Sequence, residues 1–345
     1  MDAVSATTPI NVAVVGMSYW GPNLARNFDR LEGSNLRWAC DLDEGLLNQH
    51  RPAFPLTKFT TNLDEVLADP EIDAVVIATP VPTHATLARA AIAAGKHVFV
   101  EKPLALTTAD ARGVAEAAEA AGVTCMVDHL LVLHPAVTKM KELVDSGHLG
   151  DVHYLYGNRL NLGIVRKDEN ALWSLGPHDI SVMLHIVQEP AIEVSATGAS
   201  YLQEGVEDVV FGRILFKSGT IGHLHLSWLD PHKMRRLTVI GSERMVVFDD
   251  METDRKITVY DKGPVPRTGE YGEYIQVRSG DIFSPKIDGA EPLRLVCQHF
   301  LDSIRSGEAP IADGWAGLAT VAVLEAMDKS LAENGRPVTL EGASR

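Results

Sequence analysis

The chain has 345 residues, of which 46% are hydrophobic and 22% are charged. This composition excludes a disordered chain and is typical of a globular protein of about two domains. The net charge of −15 disfavours nucleic acid and anionic membrane surfaces as partners. No apolar run reaches the ~18 residues of a membrane helix, and the first residues do not resemble a secretory signal, so we expect a cytoplasmic protein. Cys40, Cys125 and Cys297 lack CxxC spacing, which disfavours disulfides and zinc.

The first 130 residues alternate between predicted strands and predicted helices. Apolar runs predict strands at 10–15, 36–40, 58–60, 74–78, 97–100 and 123–127. Helical patterns lie between them at 21–31, 63–68, 83–94 and 109–121. Uniformly apolar strands that alternate with helices are typical of a parallel sheet covered on both faces. We therefore predict an α/β protein with a doubly wound parallel (Rossmann) sheet in a dinucleotide-binding domain at 9–130.

The pattern changes in residues 131–345, which we predict to form a substrate-binding and oligomerisation domain. A helix at 135–146 is followed by β-prone stretches, several of them alternating, at 152–156, 209–216, 220–228, 235–240, 245–248 and 256–260. Helices at 292–305 and 314–334 close the chain. This order predicts an α+β domain with an open, mostly antiparallel sheet. One face of that sheet would remain exposed as an apolar surface in a monomer, so we expect a homo-oligomer, a dimer or a tetramer.

A glycine-containing loop follows the first predicted strand. Gly16, Ser18 and Gly21 form a G-x-S-x-x-G pattern, with Tyr19 and Trp20 inside it, that opens the first helix. The first glycine permits a tight turn, and the last permits close packing of the helix on the strand. Backbone N–H groups and the helix dipole then face a pyrophosphate. Ser18 stands where a glycine is usual, but its side chain is small enough for the backbone to approach the phosphates.

Asp41 ends the second predicted strand, close to the ~20 residues after the loop at which a ribose-binding carboxylate is expected. A carboxylate accepts hydrogen bonds from ribose hydroxyls and repels a 2′-phosphate. No Arg or Lys lies between Asp41 and Gln49 to neutralise such a phosphate. The sequence therefore predicts NAD rather than NADP as the cofactor, and no metal.

Glu101-Lys102-Pro103 follows the strand at 97–100, at an edge of the sheet where α/β proteins bind ligands. Taken alone, Lys102 is better explained as a surface lysine at a strand end. With the other motifs, the sequence resembles the Gfo/Idh/MocA family of NAD(P)-dependent sugar and polyol oxidoreductases, from about residue 10 to 338. The motifs are G-x-S-x-x-G, Thr79-Pro80 with Thr83-His84, Glu101-Lys102-Pro103, Leu301-Asp302-Ser303-Ile304, and Pro310 with Asp313-Gly314.

The resemblance implies that Lys102 lies beside the nicotinamide and the reacting hydroxyl. A free lysine has a pKa of ~10.4, and burial together with the positive nicotinamide ring lowers it, so a lysine placed there can act as a base. The resemblance also assigns cofactor contacts to the loop residues and Asp41, and to Thr79, Pro80, His84 and Glu101.

His178 matches a family histidine that lies next to the substrate. In the family an Asp precedes this His by four positions, but here Ser174 occupies that position. The departure argues against an Asp–His relay, so we assign proton transfer to Lys102 and substrate orientation to His178, with the two expected to meet over the nicotinamide. A buried structural histidine, and ordinary surface charge for the arginines, are the competing interpretations. The predicted substrate-binding residues are Arg159, Asn161, Arg166, Trp173, Ser174 and Asp179.

The opening loop and the stretches around 158–163 and 172–181 are similar to a bacterial subgroup that oxidises a ring hydroxyl, typically at C3, of amino sugars. The resemblance implies a UDP-hexosamine substrate and a ketone product that a partner aminotransferase consumes. An aminoglycoside-type pseudo-oligosaccharide is the alternative substrate, and inositol is third, disfavoured by Ser174. A non-catalytic NAD sensor would need neither Lys102 nor His178.

Overall fold

The computed structural model describes residues 8–163, 165–167, 169–264 and 277–340. The chain forms two compact units, one from residues 1–130 with 290–321 and the other from 131–289 with 322–345. In the described residues, no helix is long and apolar enough to cross a bilayer.

The first unit contains a six-stranded parallel sheet in the order β3-β2-β1-β4-β5-β6. Its strands are β1 (Ile10–Val15), β2 (Ser34–Cys40), β3 (Lys58–Thr60), β4 (Ala74–Ile77), β5 (His97–Val100) and β6 (Cys125–Val127). Its helices are α1 (Gly21–Arg30), α2 (Glu44–His50), α3 (Leu63–Ala68), α4 (His84–Ala93) and α5 (Thr108–Ala121). The order reverses between β1 and β4, so ligands are expected at the carboxyl ends of these strands.

The core of this unit lies between the sheet and its helices. Every residue of β4 is buried, as are three of the four residues of β5. Phe28 of α1, Phe99 of β5 and Phe300 pack edge to face, with ring centroids 5.5 to 6.3 Å apart. Phe300 belongs to a later helix, Pro292–Ser306, so part of the C-terminal sequence completes this core.

The second unit contains a nine-stranded sheet in the order β14-β13-β12-β11-β7-β10-β9-β8-β15. Its strands are β7 (Val152–Leu162), β8 (Ala191–Ala199), β9 (Val209–Phe216), β10 (Ile221–Ser227), β11 (Leu229–Gly241), β12 (Met245–Asp249), β13 (Ile257–Pro264), β14 (Val277–Phe283) and β15 (Val338–Thr339). The remaining α-helices of the described residues are α6 (Pro135–Asp145), α7 (Ala171–Val187), α8 (Pro292–Ser306) and α9 (Gly314–Ala332).

The predicted fold class is confirmed, with a parallel sheet in the first unit and a mostly antiparallel sheet in the second. The pairing of β7 with β10 is parallel, in contrast to the other pairs of this sheet. The sequence did not predict α2, α7, β8, β14 or β15. In α7, Gly176 and Pro177 mask the helical signal, because both residues disfavour a helix interior.

One face of the second sheet is covered by α7, and the other carries large exposed side chains. Gly157 of β7 and Gly222 of β10 face α7, where an added Cβ would lie 3.2 to 3.3 Å from Met183. Their strand neighbours alternate to the opposite face. That face includes Tyr154, Phe211 and Ile221, each more than 40% exposed.

Candidate functional site

The glycine loop between β1 and α1 has the backbone geometry of a tight phosphate turn. Gly16 has φ of +94°, and a Cβ added there would lie 2.7 Å from the carbonyl group of Ala78. A Cβ on Gly21 would lie 1.8 Å from the Gly16 oxygen. Both positions therefore require glycine. Within the described part of the chain no side chain caps the N-terminus of α1, so the positive end of the helix dipole can face an anion.

Asp41 stands directly after β2, where its carboxylate meets the start of the loop. Its Oδ2 accepts the N–H of Met17 at 2.6 Å, and its Oδ1 accepts the N–H of Asp43 at 2.9 Å. These bonds fix the carboxylate beside the turn that would hold the pyrophosphate. Of the other predicted loop residues, Tyr19 is 75% exposed, and Trp20 donates its indole N–H to Asp128 at 3.3 Å.

His84 joins the loops that follow β4 and β5. Its Nε2 lies 2.8 Å from the carbonyl oxygen of Thr79, and its Nδ1 lies 2.9 Å from that of Pro103. Thr79 is further held by a hydroxyl–hydroxyl bond of 2.7 Å to Thr83, and Pro80 at the same turn is exposed. Burial lowers the pKa of His84, and its side chain is almost wholly covered. His84 therefore braces the sheet edge from inside.

Lys102 lies just beyond the carboxyl end of β5. Its backbone N–H donates to Oε2 of Glu101 at 3.1 Å, and its peptide bond to Pro103 is cis. Glu101 in turn is tied to the sheet through its N–H, which donates to the Ile77 oxygen at 2.9 Å. The turn that carries Lys102 is thus anchored to the neighbouring strand β4 and to the side chain of the preceding residue, Glu101.

Two buried polar residues at this edge were not singled out from the sequence. Asp128 and His129 follow β6 and are 0% and 2% exposed. Burial raises the pKa of Asp128, and burial followed by the charge of Lys102 lowers the pKa of His129 to about 3. The sequence contains an indication of this pair, because Asp128 and His129 directly follow a buried strand and therefore lie at the same sheet edge as Lys102.

In the second unit, His178 lies in the middle of α7 rather than at a helix start. The helix begins after Asn170, whose Oδ1 accepts the N–H of Trp173 at 3.1 Å. Trp173, Ser174 and His178 are each partly exposed. Positions 174 and 178 are one helical turn apart and therefore share a face of α7.

Arg159 and Asp179, both predicted to bind substrate, pair with each other. Arg159 Nε on β7 lies 2.5 Å from Oδ2 of Asp179 on α7, and their side chains are 8% and 4% exposed. Consecutive residues of a helix point about 100° apart, so Asp179 faces the sheet while His178 does not. The structure assigns this pair to holding α7 against β7.

The other predicted substrate residues lie before α7. Arg166 pairs with Glu169 at 3.1 Å and is 46% exposed at its side chain. Asn161 is partly exposed on β7, with its amide folded towards the backbone of Gly163. Among the described residues, no cluster of three or more His, Cys, Asp or Glu side chains could hold a metal ion.

The residues of the first unit fit a bound dinucleotide. The glycine turn admits phosphates where any Cβ would clash, the uncapped N-terminus of α1 favours an anion, and the Asp41 carboxylate suits ribose hydroxyls. No basic side chain follows Asp41 in α2 before its last residue, which agrees with NAD.

Comparison with known proteins also identifies the first unit as a dinucleotide-binding one. Residues 10–129 match the NAD-binding Rossmann fold of the Gfo/Idh/MocA oxidoreductase family, and residues 137–247 match a Gfo/Idh/MocA C-terminal domain. A scyllo-inositol 2-dehydrogenase (NAD(+)) of Bacillus subtilis (strain 168) is 27% identical over 96% of both chains. A UDP-N-acetylglucosamine 3-dehydrogenase of Acidithiobacillus ferrooxidans is 26% identical over 76% of this chain and 79% of that protein.

A solved structure shares this fold over nearly the whole length of the chain. GenD2 from gentamicin A biosynthesis, in complex with NAD, superposes with a TM-score of 0.81 and 28% identity over 99% of both chains. The glycine loop, Asp41 and the turn at Lys102 thus belong to an NAD-binding unit. The chain is an NAD-dependent sugar or polyol oxidoreductase and belongs to the Gfo/Idh/MocA family.

Proposed function

We propose that the protein oxidises a secondary ring hydroxyl, at C3, of an amino sugar carried as a UDP-hexosamine. The observation that carries the proposal is the placement of Lys102 at the carboxyl edge of the NAD-binding sheet, in a turn braced by Glu101 and His84. The similarity to a UDP-N-acetylglucosamine 3-dehydrogenase supports this substrate class.

In this reaction NAD, when bound, supplies the hydride acceptor. Lys102 accepts the proton of the sugar hydroxyl as the carbon–hydrogen bond breaks, so the alcohol loses one hydride and one proton and becomes a ketone. His178 orients the substrate from α7, since Ser174 cannot supply the carboxylate that would make it more basic. The ketone product suits a separate aminotransferase, which would install an amine at that carbon.

An aminoglycoside-type substrate is a second candidate, favoured by the ion pairs of the second unit. Two arginines that could bind a diphosphate, Arg159 and Arg166, are already paired with carboxylates. The net charge of −15 suits a cationic substrate, and the similarity to GenD2 points in the same direction.

The test is the formation of NADH, followed by absorbance, with a panel of UDP-N-acetylhexosamines, aminoglycosides and inositols. We expect turnover with the UDP-sugars and loss of the signal in Lys102→Ala. Turnover confined to aminoglycosides would establish the second candidate. NAD binding without turnover of any sugar would indicate a sensor and contradict the proposed function.

We also propose a homo-oligomer, a dimer or a tetramer, that covers the outer face of the nine-stranded sheet. Phe211 and His225 stack there with ring centroids 4.4 Å apart, and Tyr154 stacks on Tyr156 at 6.3 Å. Aromatic rings at such a face are typical of interfaces. Light scattering should give a multiple of the chain mass of 37.4 kDa at micromolar concentration, and a monomer mass would contradict the proposal.

A further inference from the structure

Two acid side chains stand together beside the turn that carries Lys102: Asp128 is fully buried, and Glu101 is partly exposed. Glu101 follows β5 and Asp128 follows β6, and these strands are neighbours in the sheet. Each carboxyl group receives one donor, because Glu101 Oε2 accepts the N–H of Lys102 at 3.1 Å and Asp128 Oδ2 accepts the indole N–H of Trp20 at 3.3 Å. The remaining oxygens, Glu101 Oε1 and Asp128 Oδ1, are buried and receive no donor from the described residues.

Val100 of β5 and Val127 of β6 are register partners, and the Asp128 N–H donates to the Val100 oxygen at 2.8 Å, so the two acid residues leave the sheet side by side. Two ionised carboxylates in that position cannot hydrogen-bond each other, because both can only accept. Two adjacent negative charges away from water are also costly. A proton between Glu101 and Asp128 removes both difficulties and satisfies the two oxygens that lack a donor. In agreement, burial first and the neighbouring Asp128 second raise the pKa of Glu101 well above its usual range.

We propose that Glu101 and Asp128 share one proton at neutral pH, and that Asp128 is thereby a positioning residue that leaves a single negative charge next to Lys102. The second half of this statement rests on the proposed function, in which Lys102 accepts the substrate proton. A negative charge near an amine favours its protonated form. The charge of the acid pair therefore sets the pH at which Lys102 can work as a base.

The His129 imidazole and the Cys297 thiol add no charge beside the pair. Burial lowers the pKa of His129 to about 3, so this imidazole is neutral, and burial also lowers the pKa of His84. Burial raises the pKa of the Cys297 thiol well above its usual range, so it is neutral as well. The titratable groups that face the pair or its neighbours are Lys102, His129, Cys297, His84 and the Arg26–Glu291 ion pair.

Amide variants distinguish one shared proton from two ionised carboxylates. In Asp128→Asn the amide N–H can donate to Glu101, while the amide oxygen still accepts from Trp20. Glu101 is then ionised without a proton to share, and the pair keeps one negative charge. Glu101→Gln does the same with the charge on Asp128. The double variant removes the charge altogether.

The first measurement is infrared spectroscopy at neutral pH. The wild-type protein should show the carbonyl band of one protonated carboxyl group, and both single variants should lose it. Glu116→Gln, which removes an exposed carboxylate on α5, is the matched control and should keep the band. Absence of the band in the wild type, or its persistence in both single variants, would overturn the shared proton. This readout does not depend on whether Lys102 is the base.

The second measurement is the pH profile of kcat with saturating NAD. The acidic limb should stay at the wild-type pH in each single variant and move to lower pH in Glu101→Gln/Asp128→Asn. A shift to lower pH in Asp128→Asn alone, with a further shift in the double variant, would mean that the pair carries two charges and would overturn the proposal. If Lys102→Ala stays active while the infrared band behaves as expected, the proposed function fails and the shared proton stands.

Discussion

The two units of this chain hold their candidate site residues in different ways. In the first, Gly16, Asp41 and Lys102 each stand one or two positions beyond a short buried strand, and backbone geometry fixes them. In the second, Arg159 lies inside a long strand and His178 inside a helix. The parallel sheet thus places chemistry at strand ends through local sequence, whereas the mixed sheet depends on long-range side-chain pairs.

The largest effect is expected where a long-range pair is broken. Arg159→Ala leaves Asp179 charged and buried, so the second unit should lose ~3–5 kcal/mol of unfolding free energy. Urea unfolding measures the loss. Arg213→Ala is the matched control, since its pair with Glu193 is about one-third exposed and should cost under ~1 kcal/mol. Arg159→Met with Asp179→Leu should recover most of the stability, and an unchanged unfolding midpoint in Arg159→Ala would contradict the role of the pair.

The next largest effect is expected when the backbone of the glycine loop in the first unit is disturbed. Gly16→Ala places a Cβ against the Ala78 carbonyl, so the loop must move and NAD affinity should fall by about 100-fold or more, or ~2.7 kcal/mol. Isothermal titration with NAD measures the affinity. Gly95→Ala is the control, because Gly95 also has positive φ (+74°) but its Cβ meets nothing within 4 Å. Equal loss of NAD affinity in both variants would show that the positive φ, rather than the clash, matters.

A smaller effect concerns cofactor choice at the end of β2. The wild type should prefer NAD over NADP by at least about tenfold, or ~1.4 kcal/mol, because the Asp41 carboxylate repels a 2′-phosphate. Asp41→Ser with Leu42→Arg should reduce that preference by replacing the repulsion with a cation. The ratio of kcat/KM values for the two cofactors measures it. Equal use of both cofactors by the wild type would contradict the role of Asp41.

The contrast between the two units also explains which strands can be predicted from the sequence. The strands at 10–15, 58–60 and 97–100 are confirmed to the residue. The first and the last are mostly apolar runs bounded by turn residues, whereas the strand at 58–60 has a single apolar residue, Phe59. In the second unit the strand at 209–216 is also confirmed to the residue, and the other predicted strands are found with shifted ends. β8 was missed, since its Ala, Ser, Thr and Gly content gives a weak apolar pattern.

The site residues of the first unit can be predicted from the sequence more readily than those of the second. The sequence leads to Gly16, Asp41 and Lys102 because position after a strand is visible along the chain. The partner of Arg159 is not visible, since Asp179 meets it only through the packing of α7 on β7. A guanidinium that looks suited to an anionic ligand is therefore already satisfied inside the protein. Asp128 obeys the strand-end rule and could have been found by applying it to β6.

The most direct test of the central claim, that Lys102 accepts the substrate proton, is kcat for Lys102→Ala and His178→Asn with saturating NAD, from about pH 6 to about pH 10. Lys102→Ala should lose ~10²–10⁴-fold in kcat, as expected for removal of a general base, while its Kd for NAD stays near the wild-type value. His178→Asn should mainly raise KM. If His178→Asn has the larger effect on kcat and Lys102→Ala stays within about tenfold of the wild type, the assignment of the base to Lys102 is wrong.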